Sequence, residues 1–132
     1  MIGIVIVAHS HQLAEGVKEL ADQMTQGPVC IAAAGGLDEE TLGTNADRIR
    51  HAIEEVYSPD GVLVLVDLGS AVLSTEMAIE ALPVECQRDV LLSDAPLVEG
   101  AVVAAIEASI GRGLAEVNAA ALAAKEMQKI IR

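Results

Sequence analysis

The chain opens with a β-branched run, Ile2, Ile4, Val5, Ile6 and Val7, which is the pattern of a parallel strand covered on both faces. An amphipathic period follows at Leu13, Val17, Leu20 and Met24, with Glu15, Lys18, Glu19 and Asp22 opposite, and predicts a helix. Gly27-Pro28 breaks the chain, and Val29–Ala34 reads as a second strand running into a glycine-rich, acidic loop, Ala33–Gly43. Thr44, with Asp47 three residues on, predicts the start of a helix marked by Ile49, Ile53 and Val56 and stopped near Ser58-Pro59. Gly61–Leu68 is the clearest strand. Ser70 is the expected cap of a helix through Leu73, Met77 and Ala78, ended by Pro83. Asp89–Leu92 reads as a short fourth strand. Pro96 takes the first-turn position of a helix through Val98, Val102, Ala105 and Ile106. Beyond Gly111 and Gly113, an Ala-rich helix is predicted from about Leu114 toward Ile131. Strands alternating with helices predict one α/β domain over residues 1–132, three layers deep, with a mostly parallel sheet of about four strands.

Composition narrows the function classes. A single domain of 132 residues hides roughly two-thirds of its unfolded surface, and 52% hydrophobic residues supply the core. The net charge of −12, with eight Lys plus Arg, one Tyr and neither Phe nor Trp, argues against nucleic acid and against anionic membrane surfaces. Cys30 and Cys86 lack CxxC spacing and are expected to be buried thiols in a reducing compartment. With no signal-peptide pattern and no apolar run of about 18 residues, a cytoplasmic location is expected.

The candidate chemistry sits at strand ends. His9 ends the first strand and precedes a helix, and Asp67 ends the third. In open α/β sheets ligands gather beyond the carboxyl ends of strands, where helix N-termini offer N–H groups to anions. If the first and third strands are neighbours, about 5 Å apart, Asp67 stands beside His9. A carboxylate bonded to one ring nitrogen fixes the tautomer and turns the other nitrogen outward as a nucleophile or base. Either residue alone reads as an ordinary polar cap; both at adjacent strand ends, each followed by Ser or Gly-Ser and a helix, read as a site. His11 is expected on the first helical turn and His51 on a helix surface. His9-x-His11 with distant cysteines does not make a zinc site. GxxxxGK[ST], GxGxxG and GxSxG are all missing from the sequence.

Several segments together resemble a known family: Ile6-Val7-Ala8-His9-Ser10, Leu13-Ala14-Glu15-Gly16-Val17, Ala33-Ala34-Gly35-Gly36, Gly43-Thr44, Val64 to Ala71, and Ala95 to Ala101. They are similar to the mannose-type enzyme IIA domains of the bacterial phosphotransferase system (PTS), and among these to the DhaM family of dihydroxyacetone kinase subunits. The resemblance implies a phosphohistidine carrier: His9 accepts phosphate from phospho-HPr, Asp67 orients the ring, and the phosphoryl group passes to ADP on a DhaL subunit. Dihydroxyacetone on a DhaK subunit is the final acceptor. It also implies a homodimer, with no cofactor or metal bound by this chain. Ser10, Gly36, Thr44 and Ser70 are expected to surround the phosphate. Sugar-transporting members usually carry a double-glycine, proline-containing motif after the Asp; Leu68-Gly69-Ser70-Ala71 departs from it and favours the DhaM reading. The alternatives are a mannose-type permease IIA component and a regulatory module switched by His9 phosphorylation. Some DhaM proteins continue into HPr-like and enzyme I-like domains.

Overall fold

A computed structural model of the protein describes residues 1–131. Its strands are β1 (Gly3–Ala8), β2 (Cys30–Gly35), β3 (Val62–Val66) and β4 (Val90–Leu92), all parallel in the order β2-β1-β3-β4. The expected adjacency of the first and third strands is present, with Gly3 opposite Val62 and Val7 opposite Val66. The sheet side chains split by face. Ile2, Ile4, Ile6, Leu63 and Leu65 pack against α1 (His11–Gln23), α5 (Leu97–Ser109) and α6 (Leu114–Ala123). Val5, Val7, Val62 and Val64 pack against α2 (Ala46–Val56) and α3 (Ser70–Glu80). The result is the three-layer α/β domain that the sequence predicts.

Several local expectations are corrected. The sequence period assigned Leu13, Leu20 and Met24 to the core, but they are 43%, 43% and 53% exposed, and α1 buries Ala14, Val17 and Ala21 instead. α3 does the same, burying Ala71, Thr75 and Ala78 and exposing Leu73 and Met77. Small residues let these helices lie close to the sheet, which turns the large ones outward. Asn45, not Thr44, caps α2, because its Oδ1 accepts the N–H groups of Asp47 at 2.9 Å and Arg48 at 3.4 Å. Ser70 is the first helical residue of α3 and makes no cap bond; Gly69 holds the cap position. Pro96 is the cap of α5 rather than its first residue.

A further helix, α4 (Val84–Gln87), fills the segment before β4. The last helix stops at Ala123, a 3-10 turn follows to Glu126, and Lys129 then pairs with Glu99 of α5 at 2.5 Å, so the chain turns back instead of continuing toward Ile131. Cys30 is exposed at the start of the edge strand and Cys86 is half-buried in α4; both are free thiols. Among the described residues no helix is long and apolar enough to cross a membrane.

Two glycines make opposite demands. A Cβ on Gly35 would lie 2.3 Å from the Ser10 carbonyl oxygen and 2.8 Å from His11 Cα, so its absence lets α1 start against the end of β2. A Cβ on Gly16, in the exposed middle of α1, meets nothing within 4 Å. Gly35→Ala is expected to destabilise the fold by about 1–3 kcal/mol through overpacking. Gly16→Ala is expected to stabilise it by about 0.5–1 kcal/mol by removing backbone entropy from the unfolded chain. Urea midpoints of the two variants, moving in opposite directions from the parent, check both.

Candidate functional site

The site is built where β1 and β3 end. Beyond the last ladder pair, the Asp67 N–H donates to the Val7 carbonyl at 3.2 Å, so the sheet pairing continues one step and places the Asp67 side chain against His9. Oδ2 accepts the His9 backbone N–H at 2.9 Å. Oδ1 lies 3.0 Å from His9 Nδ1 and accepts the Leu68 N–H at 2.8 Å. The His9 carbonyl in turn accepts the Gly43 N–H at 2.8 Å, which ties the loop after β2 to the same residue. His9 is therefore fixed through its N–H, its C=O and its ring.

The tautomer follows from the partners. A carboxylate only accepts, so Nδ1 carries the hydrogen and Nε2 keeps its lone pair. The Ser70 hydroxyl donates to that lone pair across 2.7 Å. The His9 side chain is 28% exposed and Asp67 only 12%, so the carboxylate is the more shielded of the two. Ser70 begins α3, so the partial positive charge of that helix N-terminus faces whatever Nε2 carries.

Of the four expected phosphate neighbours, Ser70 is the one that touches His9. Ser10 caps α1, its Oγ accepting the Leu13 N–H at 3.2 Å. The Gly36 N–H donates to the Ala8 carbonyl at 3.1 Å, and Gly36 adopts φ +76° to turn the chain off β2. The Thr44 hydroxyl pairs with Ser74 of α3 at 2.6 Å. That bond, between side chains 30 residues apart, clamps the loop to α3 and has no signal in the sequence.

His11 faces the other way. Its Nδ1 lies 3.3 Å from the Arg48 guanidinium, which also donates to the Gly35 carbonyl at 3.1 Å. His51 is exposed and donates from Nδ1 to the Asp47 carbonyl at 2.8 Å. In the loop between, N–H groups of Glu40 and Thr41, each 2.8 Å from Asp38 Oδ1, hold that carboxyl below the usual carboxylate range, the Glu40 bond contributing most. Among the described residues no group of three or more His, Cys, Asp or Glu is placed to hold a metal.

A parallel β2-β1-β3-β4 sheet with an oriented histidine beyond β1 defines a class of protein. The family EIIA-man, described as the PTS system fructose IIA component, matches residues 3–118, and the chain belongs to it. Over 132 residues the chain is 44% identical to the phosphoryl donor subunit DhaM of the PEP-dependent dihydroxyacetone kinase of Escherichia coli, covering 98% of this chain and 28% of that protein. Over 110 residues it is 39% identical to the DhaM subunit of kinase 2 of Listeria innocua, covering 83% of this chain and 88% of that one. The chain thus spans under a third of the Escherichia coli relative and most of the Listeria one. Among solved structures, a protein of unknown function, EF1359, superposes with a TM-score of 0.81 at 36% identity over 92% of each chain. The dihydroxyacetone kinase of C. freundii shares the fold alone, at 17% identity and TM-score 0.57 over 24% of its length.

Asp67 accepts three N–H groups, and an amide cannot replace it. In Asp67→Asn the NH₂ faces either the Leu68 or the His9 donors, so one N–H loses its partner at a cost of about 1–3 kcal/mol. The amide also donates to Nδ1 and moves the ring proton to Nε2. The fold is expected to persist, and if His9 carries a phosphoryl group its transfer is expected to slow about 10²-fold or more. Imidazole ¹⁵N shifts check the tautomer, and an unchanged tautomer with an unchanged rate removes Asp67 from the site.

Proposed function

We propose that this chain is a phosphohistidine carrier that accepts a phosphoryl group from phospho-HPr on His9 Nε2 and delivers it to ADP held on a DhaL-type subunit. The observation that carries the reading is the ring of His9, with Nδ1 held by Asp67 and the Nε2 lone pair directed outward. In the first step the Nε2 lone pair attacks phosphorus, the donor's N–P bond breaks, and the electron pair returns to the donor imidazole. Asp67 offsets the positive charge that builds on the ring. The Ser70 hydroxyl, displaced from the lone pair, turns to a phosphoryl oxygen. In the second step a β-phosphate oxygen of ADP attacks the same phosphorus and the N–P bond breaks, restoring the neutral ring.

Phosphohistidine is a reactive phosphoramidate, so positioning and charge neutralisation suffice and the partner can supply the latter. The chain has no phosphate-binding glycine loop of the Walker or dinucleotide type, which supports placing the nucleotide and its divalent ion on the acceptor. The names of the DhaM relatives support dihydroxyacetone as the final substrate. A cytoplasmic location belongs to the same reading, since donor and nucleotide are found there.

His9→Ala is expected to abolish labelling by phosphoenolpyruvate, enzyme I and HPr, whereas His11→Ala and His51→Ala label nearly as the parent does. Undiminished acid-labile phosphate on the His9 variant overturns the assignment. The phosphorylated chain alone is expected to leave free ADP unchanged, and addition of DhaL–ADP to discharge it within a single turnover. Rapid discharge to a mannose-type IIB domain and none to DhaL would replace the dihydroxyacetone reading with that of a sugar-permease component.

The reading also includes a homodimer, supported by the large apolar side chains left exposed on α1 and α5. Sedimentation at micromolar concentration is expected to show twice the 13.7 kDa chain mass; a species of 13.7 kDa alone excludes the dimer.

A further inference from the structure

We propose that Lys125, on the turn that follows α6, is this chain's own counter-charge for the phosphoryl group on His9. The inference rests on the carrier reading above and goes beyond it by assigning a residue far from the strand ends in sequence to the transfer.

Place comes from the path of the last helix. α6 starts at Leu114, and a Cβ on Gly61, which leads into β3, would lie 2.8 Å from Leu114 Cδ2, so the helix begins at the amino end of the sheet. Running along the sheet, it delivers the 3-10 turn Ala124–Glu126 to the carboxyl ends of the strands. There Lys125 lines a cavity of about 340 Å³ with Asp67, Leu68 and Gly69, and with Ser93, Asp94 and Pro96 beyond β4. Two anchors fix the turn. Ala124 is buried at its start, and past its end Lys129 pairs with Glu99 in the first turn of α5. The Lys125 side chain projects from between them and is exposed.

Charge accounting singles this residue out. The chain has eight Lys plus Arg. Arg48 is taken by His11 and the Gly35 carbonyl, and Arg50, Arg112 and Lys129 pair with carboxylates. Lys18 sits on α1 among Glu15, Glu19 and Asp22. Arg88 precedes β4, at the other end of the sheet, and Arg132 lies outside the described residues. Among the described residues Lys125 is the cation that shares a cavity with Asp67, and it makes no ion pair. The carboxylates of Asp67 and Asp94 line the same cavity, and Asp67 is already occupied by three N–H donors.

A lysine is a point charge with three donors on a flexible stem. The neutral ring of His9 gives it nothing to bind. A phosphoryl group on Nε2 carries more than one negative charge and draws the ammonium across the cavity mouth. Charge at phosphorus is then offset from within the chain during both transfers, and the partner completes the neutralisation rather than supplying all of it.

The test follows phosphate on the full chain by ³¹P NMR, with phosphoramidate as a small donor that needs no protein partner. Lys125→Ala is expected to slow labelling of His9 about tenfold. It is also expected to raise the pH midpoint of phosphoryl ionisation by about half a pH unit or more, because the dianion loses its cation. Lys125→Arg keeps the charge and is expected to return the midpoint to that of the parent. Lys18→Ala removes the same charge from α1 and is expected to change neither quantity, which separates a local cation from net charge. Circular dichroism confirms that the variants fold. An unchanged midpoint in Lys125→Ala overturns the assignment whatever the rate, and so does an equal change in Lys18→Ala. A parent chain that takes no acid-labile phosphate from phosphoramidate or from phospho-HPr overturns the carrier reading instead.

Discussion

The carboxylate of Asp67 is the constraint on which the rest of the site depends. It is the common acceptor for a ring N–H, a backbone N–H from β1's end and a backbone N–H from β3's end, so it joins two strands and one side chain in a single cluster. The ladder that places it is the sheet's own, extended by the Asp67 N–H to Val7. The geometry of the candidate site is therefore inherited from the buried sheet. A site on a rigid element loses little entropy when it reacts, and its orientation needs no rearrangement on binding.

The strands were legible because β-branched runs in a two-sided parallel sheet have few other uses, and Gly3–Ala8 and Val62–Val66 lie within a residue or two of where the pattern puts them. Helix positions were legible too, but not helix faces. Each of α1 and α3 offers both large and small apolar residues, and hydrophobicity alone assigns the larger ones to the core. The decision is made instead by the space between layers. Alanine and threonine permit close approach to the sheet, and Leu13, Leu20, Leu73 and Met77 are left outside. Local cap choices were hidden for a related reason: Thr44 and Asn45 are equally good cap residues, and the bond from Thr44 to Ser74 decides between them.

Within the site, His9 and Asp67 were readable from strand ends plus the assumption that β1 and β3 are neighbours. The hydroxyls were not. A serine beyond a strand can cap its own helix, as Ser10 does, or reach a neighbour's side chain, as Ser70 does, and both have the same local sequence signature. What separates them is the direction of the helix start relative to the histidine, which only the packed layers define. The same holds for His11, whose ring is taken by Arg48 from a helix on the opposite layer.

A carrier that must pass its cargo on faces a requirement that an enzyme binding a small substrate does not. Each partner has to arrive quickly, hold long enough for one bond exchange, and leave. Long-range attraction between acidic and basic faces raises the rate of encounter, while affinity differences within related complexes reside mostly in dissociation. A compact apolar contact with no deep pocket gives orientation without a long residence time. This chain has an acidic composition, an exposed Leu68 next to the site, and an imidazole held from behind by Asp67. On the proposed carrier reading, the rigid placement of Nε2 by Asp67 leaves the encounter with a partner, not a rearrangement of the site, to set when transfer occurs.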